Sequence, residues 1–276
     1  MIDPTLEYQY NVRAAVPEHS DYFSRWQTLS EAFREQRIGY LDQQYGTGPR
    51  QSLDLFPAGG TRLHLFLHGG YWQAMDKSFF SFLAGGLIEH GIDVAICNYP
   101  LCPHADLSVI VDSVRLACRF LWRNAPRFQG RWNSIQLSGH SAGGHLVSML
   151  MATRWPELDS ALPGGLIGSG VSISGLYDLE PLRYTSINDK LGLDAAAARA
   201  ISPLQVPAAT RAPMLLVTGN DERPAFREQM FRFAERRRRE RVPVETLCLD
   251  EKNHFSVLEE LTDSRGILLE KVLAMA

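Results

Sequence analysis

No apolar run in this 276-residue chain approaches the roughly 18 residues that a bilayer span needs. The first residues, Met1-Ile2-Asp3-Pro4-Thr5-Leu6-Glu7, carry acids where a secretory leader carries Lys or Arg, and no apolar core follows them. The expectation is a cytoplasmic protein with no membrane partner. An excess of one charge is missing too: 28 Lys and Arg against 31 Asp and Glu give a formal net charge of -3, which leaves no electrostatic footprint for nucleic acid. Cysteine is scarce. Cys97, Cys102, Cys118 and Cys248 form no C-x-x-C pair and no metal-ligand spacing with histidine, so they read as scattered reduced thiols. Nucleotide loops are absent as well: Gly164-Gly165 and Gly168-Ser169-Gly170 do not complete G-x-G-x-x-G, and there is no G-x-x-x-x-G-K. No cofactor and no metal are expected. The run Arg236, Arg237, Arg238, Arg239 and Arg241 reads as the solvated end of a helix, where cations suit the helix dipole.

What is present is an ordinary globular composition, 45% apolar and 21% charged, in a chain long enough for one large domain over 1–276. Residues 1–35 read as an N-terminal arm with an amphipathic helix near Tyr22–Arg34. Then β-rich runs follow at Ile38–Tyr45, Gln51–Phe56, Leu63–Leu67, Asp93–Tyr99, Ser134–Leu137, Leu166–Ser174, Met214–Thr218 and Val244–Leu249. Helical patterns separate the later ones, at Ser78–His90, Leu107–Asn124, after Ser141, at Pro224–Arg241 and at Ser264–Met275. An antiparallel start followed by β-α units predicts a mostly parallel, twisted sheet of about eight strands with helices on both faces. The Gly- and Pro-rich region 155–207 is either a small cap over a pocket or a long excursion. A homodimer is a candidate assembly.

Gly139-His140-Ser141-Ala142-Gly143 fits G-x-S-x-G in a telling context, with the strand-like Ser134–Leu137 before it and a helical run from Gly144 after it. A strand turning sharply into a helix projects a serine hydroxyl above a sheet, next to a helix N-terminus that favours negative charge. This is the nucleophile turn of the α/β-hydrolase fold, and Ser141 is the candidate nucleophile. His68-Gly69-Gly70-Tyr71-Trp72 leaves the strand Leu63–Leu67. The amides of Gly69 and Gly70, with that of Ala142, are candidates to hold a tetrahedral oxyanion. His68 braces the loop. Tyr71 and Trp72 belong either at the mouth of the pocket or in the core, and His140 is a further candidate for contact with substrate.

A serine hydroxyl needs a histidine to take its proton, and that histidine needs a carboxylate to fix its tautomer. In this fold the chain order is serine, acid, histidine. Of eight histidines, His254 alone lies beyond residue 145, so order selects it as general base. The acid should follow the preceding strand, Met214–Thr218, and Asp221 does. Glu222 is adjacent and can substitute, Asp178 follows an earlier strand, and Asp250 ends a later one.

The stretch His68-Gly69-Gly70-Tyr71-Trp72-Gln73, with Gly139-His140-Ser141-Ala142-Gly143-Gly144-His145-Leu146, resembles the kynurenine formamidase (arylformamidase) branch of the α/β-hydrolase serine esterases. Weaker likenesses run through Tyr10–Pro17, Gly175–Leu182 and Asp250–Phe255. The resemblance implies hydrolysis of N-formylkynurenine, an aryl formamide of tryptophan catabolism, with Ser141, Asp221 and His254 as catalytic triad. The expected small-molecule chemistry is therefore cleavage of an aryl formamide through an acyl-enzyme. A broad short-chain carboxylesterase is the alternative within hydrolases, and a ligand-binding protein on a hydrolase scaffold the alternative from another class.

Overall fold

The difference between central and edge strands organises the molecule. In this computed structural model, which describes residues 1–275, eight strands form one sheet in the order β1-β2-β4-β3-β5-β6-β7-β8. They are β1 (Tyr40–Gln44), β2 (Ser52–Phe56), β3 (Arg62–Leu67), β4 (Ile92–Cys97), β5 (Ile135–His140), β6 (Ile167–Ile173), β7 (Met214–Gly219) and β8 (Val244–Leu249). Only the pairs β1–β2 and β2–β4 are antiparallel. Strands β2, β4, β5 and β7 are buried at every position, their polar side chains included, because both faces of the central sheet are covered, whereas the edge strands β1 and β8 are partly open to solvent. The expected fold, a mostly parallel eight-stranded sheet with helices, is borne out.

Twelve helices accompany the sheet among the described residues: α1 (Pro4–Tyr10), α2 (Val12–Ala15), α3 (His19–Gln36), α4 (Ala84–Ile88), α5 (Leu107–Arg123), α6 (Ala142–Met151), α7 (Trp155–Leu158), α8 (Asn188–Leu191), α9 (Ala195–Ala200), α10 (Pro224–Arg239), α11 (Ser256–Glu259) and α12 (Ile267–Met275). Neighbours on β6 settle the layering. Ser169 Oγ donates to Met275 O of α12 at 3.0 Å, while a Cβ on Gly170 would meet Met151 of α6 at 2.9 Å. Successive side chains of a strand point to opposite faces, so α6 and α12 cover opposite faces. Helix α6 is buried all round, between the sheet and α5, whose inward stripe is Leu107, Ile110, Val111, Val114, Ala117, Cys118 and Leu121.

Three expectations change. The arm is more helical than its sequence suggested and docks on the domain, with Trp26 of α3 1% exposed. The single helix expected over Ser78–His90 breaks into two 3₁₀ turns, Lys77–Phe79 and Ser81–Leu83, before the short α4. Gly85-Gly86 weakens the helix, and Arg34 Nη1 takes the Ser78 carbonyl at 2.6 Å and Ser81 Oγ at 2.9 Å. The arginine run is not all solvated either. Arg237 is 1% exposed, stacks on Phe233, and donates to the carbonyls of Pro203 and Val206 and to Glu240. It ties α10 to the chain that precedes β7.

Register places the site. Leu67 pairs with Gly139 and Gly139 with Ser172, so β3, β5 and β6 end level with one another. Gly219 pairs with Leu249, which sets the turns after β7 and β8 side by side. From β3 the chain steps to β4 on one side and then crosses back past β3 to β5 on the other, the switch point beyond whose carboxyl ends ligands bind in open α/β sheets.

Candidate active site

Ser141 stands between β5 and α6 with φ 56° and ψ -115°, a region that costs a residue with a Cβ about 1–3 kcal/mol. The turn is held where it is: Ser141 N donates to Ile173 O at 2.8 Å and His145 N to Ser141 O at 3.1 Å. Gly143 is required by close approach, since a Cβ there would lie 1.9 Å from Leu67 O. The serine is not an exposed projection. It is 2% exposed and sits in the lining of a cavity of about 280 Å³ that also includes His254.

The acid next to His254 is Glu222, not Asp221. His254 Nδ1–H donates to Glu222 Oε2 at 2.7 Å, and Glu222 Oε1 accepts from Ser174 Oγ at 2.5 Å and Gly219 N at 2.8 Å. The Glu222 side chain is fully buried, while Asp221 is exposed. The cause is backbone packing. Gly219 meets the loop before His254 so closely that a Cβ would lie 1.9 Å from Lys252 O, and Asp221 N donates to that same carbonyl at 3.1 Å. Anchored this way, the turn sends Asp221 outward and Glu222 inward. Asp178 pairs with Arg232 and Asp250 accepts from Asn220, both outside the cavity lining. With Nδ1 donating to the carboxylate, His254 keeps its Nε2 lone pair free to accept a proton.

On the facing side, a Cβ on Gly69 would lie 3.1 Å from Ser141 Cβ, so the loop after β3 passes directly beside the serine, and Gly69 and Gly70 both line the cavity. Among the described residues the amides of Gly69, Gly70 and Ala142 donate to no other group. His68 braces this loop: its Nδ1–H donates to Gly69 O at 2.8 Å, and its ring lies flat between Tyr99 and Phe80. Burial pushes its pKa down to about 4.

The three residues expected to contact substrate part company. Tyr71 lines the cavity, with its hydroxyl donating to Tyr10 O at 2.5 Å. Trp72 does not: it is fully buried, edge-on to His145 at 4.9 Å, and belongs to the core. His140 lines the cavity, but its Nε2–H donates to the backbone carbonyl of His254 at 2.7 Å, and the two rings lie 4.9 Å apart. Burial, with His254 beside it, pushes its pKa down to about 3, so it stays neutral and holds the loop of His254 in place.

The sequence did not point to the walls. Asn11, between α1 and α2, Val12 and Arg13 from α2, and Phe23 and Trp26 from α3 line the cavity with Phe80 and Phe255. Ser186, Ile187 and Lys190 reach it from the region between β6 and β7. The likenesses at Tyr10–Pro17 and Asp250–Phe255 include some of these residues but did not place them in a wall, because their placement depends on docking between segments far apart in sequence.

With this geometry in place, comparisons with known proteins supply a family. The family model BD-FAE matches residues 57–234. Kynurenine formamidase of Danio rerio is 29% identical over 98% of this chain and 95% of its own. A solved structure from Silicibacter sp. TM1040, provisionally named a thioesterase, is 36% identical over 97% of this chain and 98% of that one, with a TM-score of 0.86. Esterase B from Lactobacillus rhamnosis, 18% identical over 96% of each chain with a TM-score of 0.70, shares the fold. The chain belongs to the BD-FAE family and is a kynurenine formamidase-like hydrolase of the α/β-hydrolase fold.

Proposed function

We propose that this protein is a serine hydrolase that cleaves small aryl formamides, of which N-formylkynurenine is the model, with Ser141, His254 and Glu222 as its triad. The observation that carries the reading is one cavity holding Ser141 on its strained turn, His254 clamped by a buried carboxylate, and a wall rich in aromatic rings. His254 Nε2 takes the proton of Ser141 Oγ as that oxygen attacks the formyl carbonyl. The amides of Gly69, Gly70 and Ala142 hold the resulting oxyanion. The tetrahedral intermediate collapses, the C–N bond breaks, and His254 returns its proton to the departing arylamine. Water, deprotonated by His254, then attacks the formyl-enzyme and releases formate and free Ser141. Glu222 remains a carboxylate throughout and stabilises the imidazolium. Phe23, Trp26, Tyr71, Phe80 and Phe255 supply faces for the aryl group.

Two measurements test this. A fluorophosphonate should label Ser141, and Ser141→Ala should abolish labelling and lower kcat by about three or more orders of magnitude in a folded protein. For acyl choice, kcat/KM on an aryl formamide should exceed that on the matching aryl butyramide by more than about tenfold. The 36% identical relative with the thioesterase name favours a second reading, hydrolysis of esters or thioesters of short acids. Equal turnover of butyryl and formyl substrates would select that reading.

A further inference from the structure

The cavity carries charge of one sign. Of the side chains that line it, Arg13 and Lys190 carry full charges, and none is Asp or Glu. The chain as a whole is acidic, with a formal net charge of -3, so this local excess runs against the background. The two cations come from separate parts of the sequence, Arg13 from α2 in the N-terminal arm and Lys190 from α8, and line the same cavity. Both are exposed, and among the described residues neither joins an ion pair. Arg13 lies over the ring of Phe23 at 5.9 Å, which leaves its donor edge open. Glu7, the acid that borders this region, is hydrogen-bonded to the lining residues Ser186 and Asn11 and pairs with neither cation. It accepts from Ser186 N at 2.8 Å, Ser186 Oγ at 2.7 Å and Asn11 Nδ2 at 3.1 Å.

We infer that Arg13 and Lys190 form a recognition site for a carboxylate on the leaving group, so that the enzyme selects anionic aryl substrates over neutral ones. The inference deepens the proposed function and rests on it for one point: a formyl group has no position for a carboxylate, so the charge must ride on the departing arylamine. Arginine presents a planar fork that matches a carboxylate, and lysine adds a mobile point charge that follows the substrate as it enters. The remaining lining is apolar, aromatic or neutral and polar, so the cations alone distinguish an acid from its uncharged isostere.

The test uses two matched pairs: ortho-formamidophenylpropanoate and its N-methylamide, and para-acetoxyphenylpropanoate and its N-methylamide. Two methylenes insulate the reacting bond from the charge, so each pair differs in recognition and not in leaving-group strength. The wild type should favour the acid in kcat/KM by about tenfold at low ionic strength, a preference that shrinks with added salt. In Arg13→Gln/Lys190→Gln the ratio should fall close to one, through a raised KM for the acid. Arg211→Gln/Arg265→Gln removes the same formal charge from exposed sites outside the cavity and should keep the preference. A wild-type ratio at or below one overturns the carboxylate site, as does a preference that survives in the Arg13/Lys190 variant or collapses equally in the control. If the ester pair shows the preference while neither formamide is cleaved, the formamidase reading fails and the carboxylate site stands. If both formamides turn over at equal rates, the reverse holds.

Discussion

The floor of the cavity and its walls are built by different means. The floor, with Ser141, His254, Glu222 and Gly69, sits on the ends of β3, β5, β7 and β8, where register and backbone contacts leave little freedom. The walls come largely from the arm and from the segment that runs into α8, joined by side-chain hydrogen bonds such as Glu7 to Ser186, Tyr71 to Tyr10 and Asn253 to Tyr22. Changes to the floor should therefore affect chemistry, and changes to the walls affinity and choice of substrate.

The largest effect should come from the buried acid. Glu222→Gln keeps an acceptor for Gly219 N but turns an amide toward His254 Nδ1, which traps the wrong tautomer. The expected loss in kcat is about 10³–10⁴ with little change in KM, the size seen when a triad aspartate becomes asparagine in trypsin-type enzymes. Asp221→Asn should stay within about twofold of the parent, because an exposed carboxylate touches nothing in the reaction. If Asp221→Asn proved the crippled variant, the turn would have to adopt another conformation in solution.

A second effect of similar scale concerns stability under acid. His64, His68, His140 and His145 are all buried, and burial lowers their pKa values to about 4, 4, 3 and 4. They are neutral in the fold, so the unfolded chain binds more protons once the pH drops below about 6.5. The stability they contribute is present above that value and is lost as the pH falls toward their folded values. Each should add about 1.4 kcal/mol per pH unit to the slope inside that window. Urea unfolding followed from about pH 7.5 down to about pH 5 should show a steep fall. His64→Gln, which keeps a partner for Ser138 in β5, should reduce the slope by about one proton. A flat profile would contradict this account of the floor.

The smallest effect should arise in the wall. Glu7→Ala removes two hydrogen bonds that join the arm to Ser186 and one within the arm, from Asn11. On a neutral aryl substrate KM should rise about two- to fivefold while kcat holds, since exposed hydrogen bonds of this kind contribute about 1 kcal/mol. A drop in kcat larger than the rise in KM would mean that floor and wall are coupled.

The strand pattern and the serine turn could be read from sequence because their causes are local. Continuous apolar runs bounded by Gly and Pro announce buried strands, and Gly143 follows Ser141 because only glycine lets α6 approach Leu67 O. His254 was selected by chain order alone, a consequence of topology. What only the tertiary structure decided depended on packing between distant segments. Whether Asp221 or its neighbour Glu222 turns inward is set by the contact of Gly219 and Asp221 N with Lys252 O, from a loop about 30 residues later. Trp72 went to the core because His145 of α6 stands against it, and Arg237 was buried because the carbonyls of Pro203 and Val206 await its guanidinium. The arm gave only a weak likeness at Tyr10–Pro17 and one amphipathic helix, neither of which placed it at the cavity, since a wall is made of whichever side chains two docked surfaces present, and periodicity within one segment cannot encode the other.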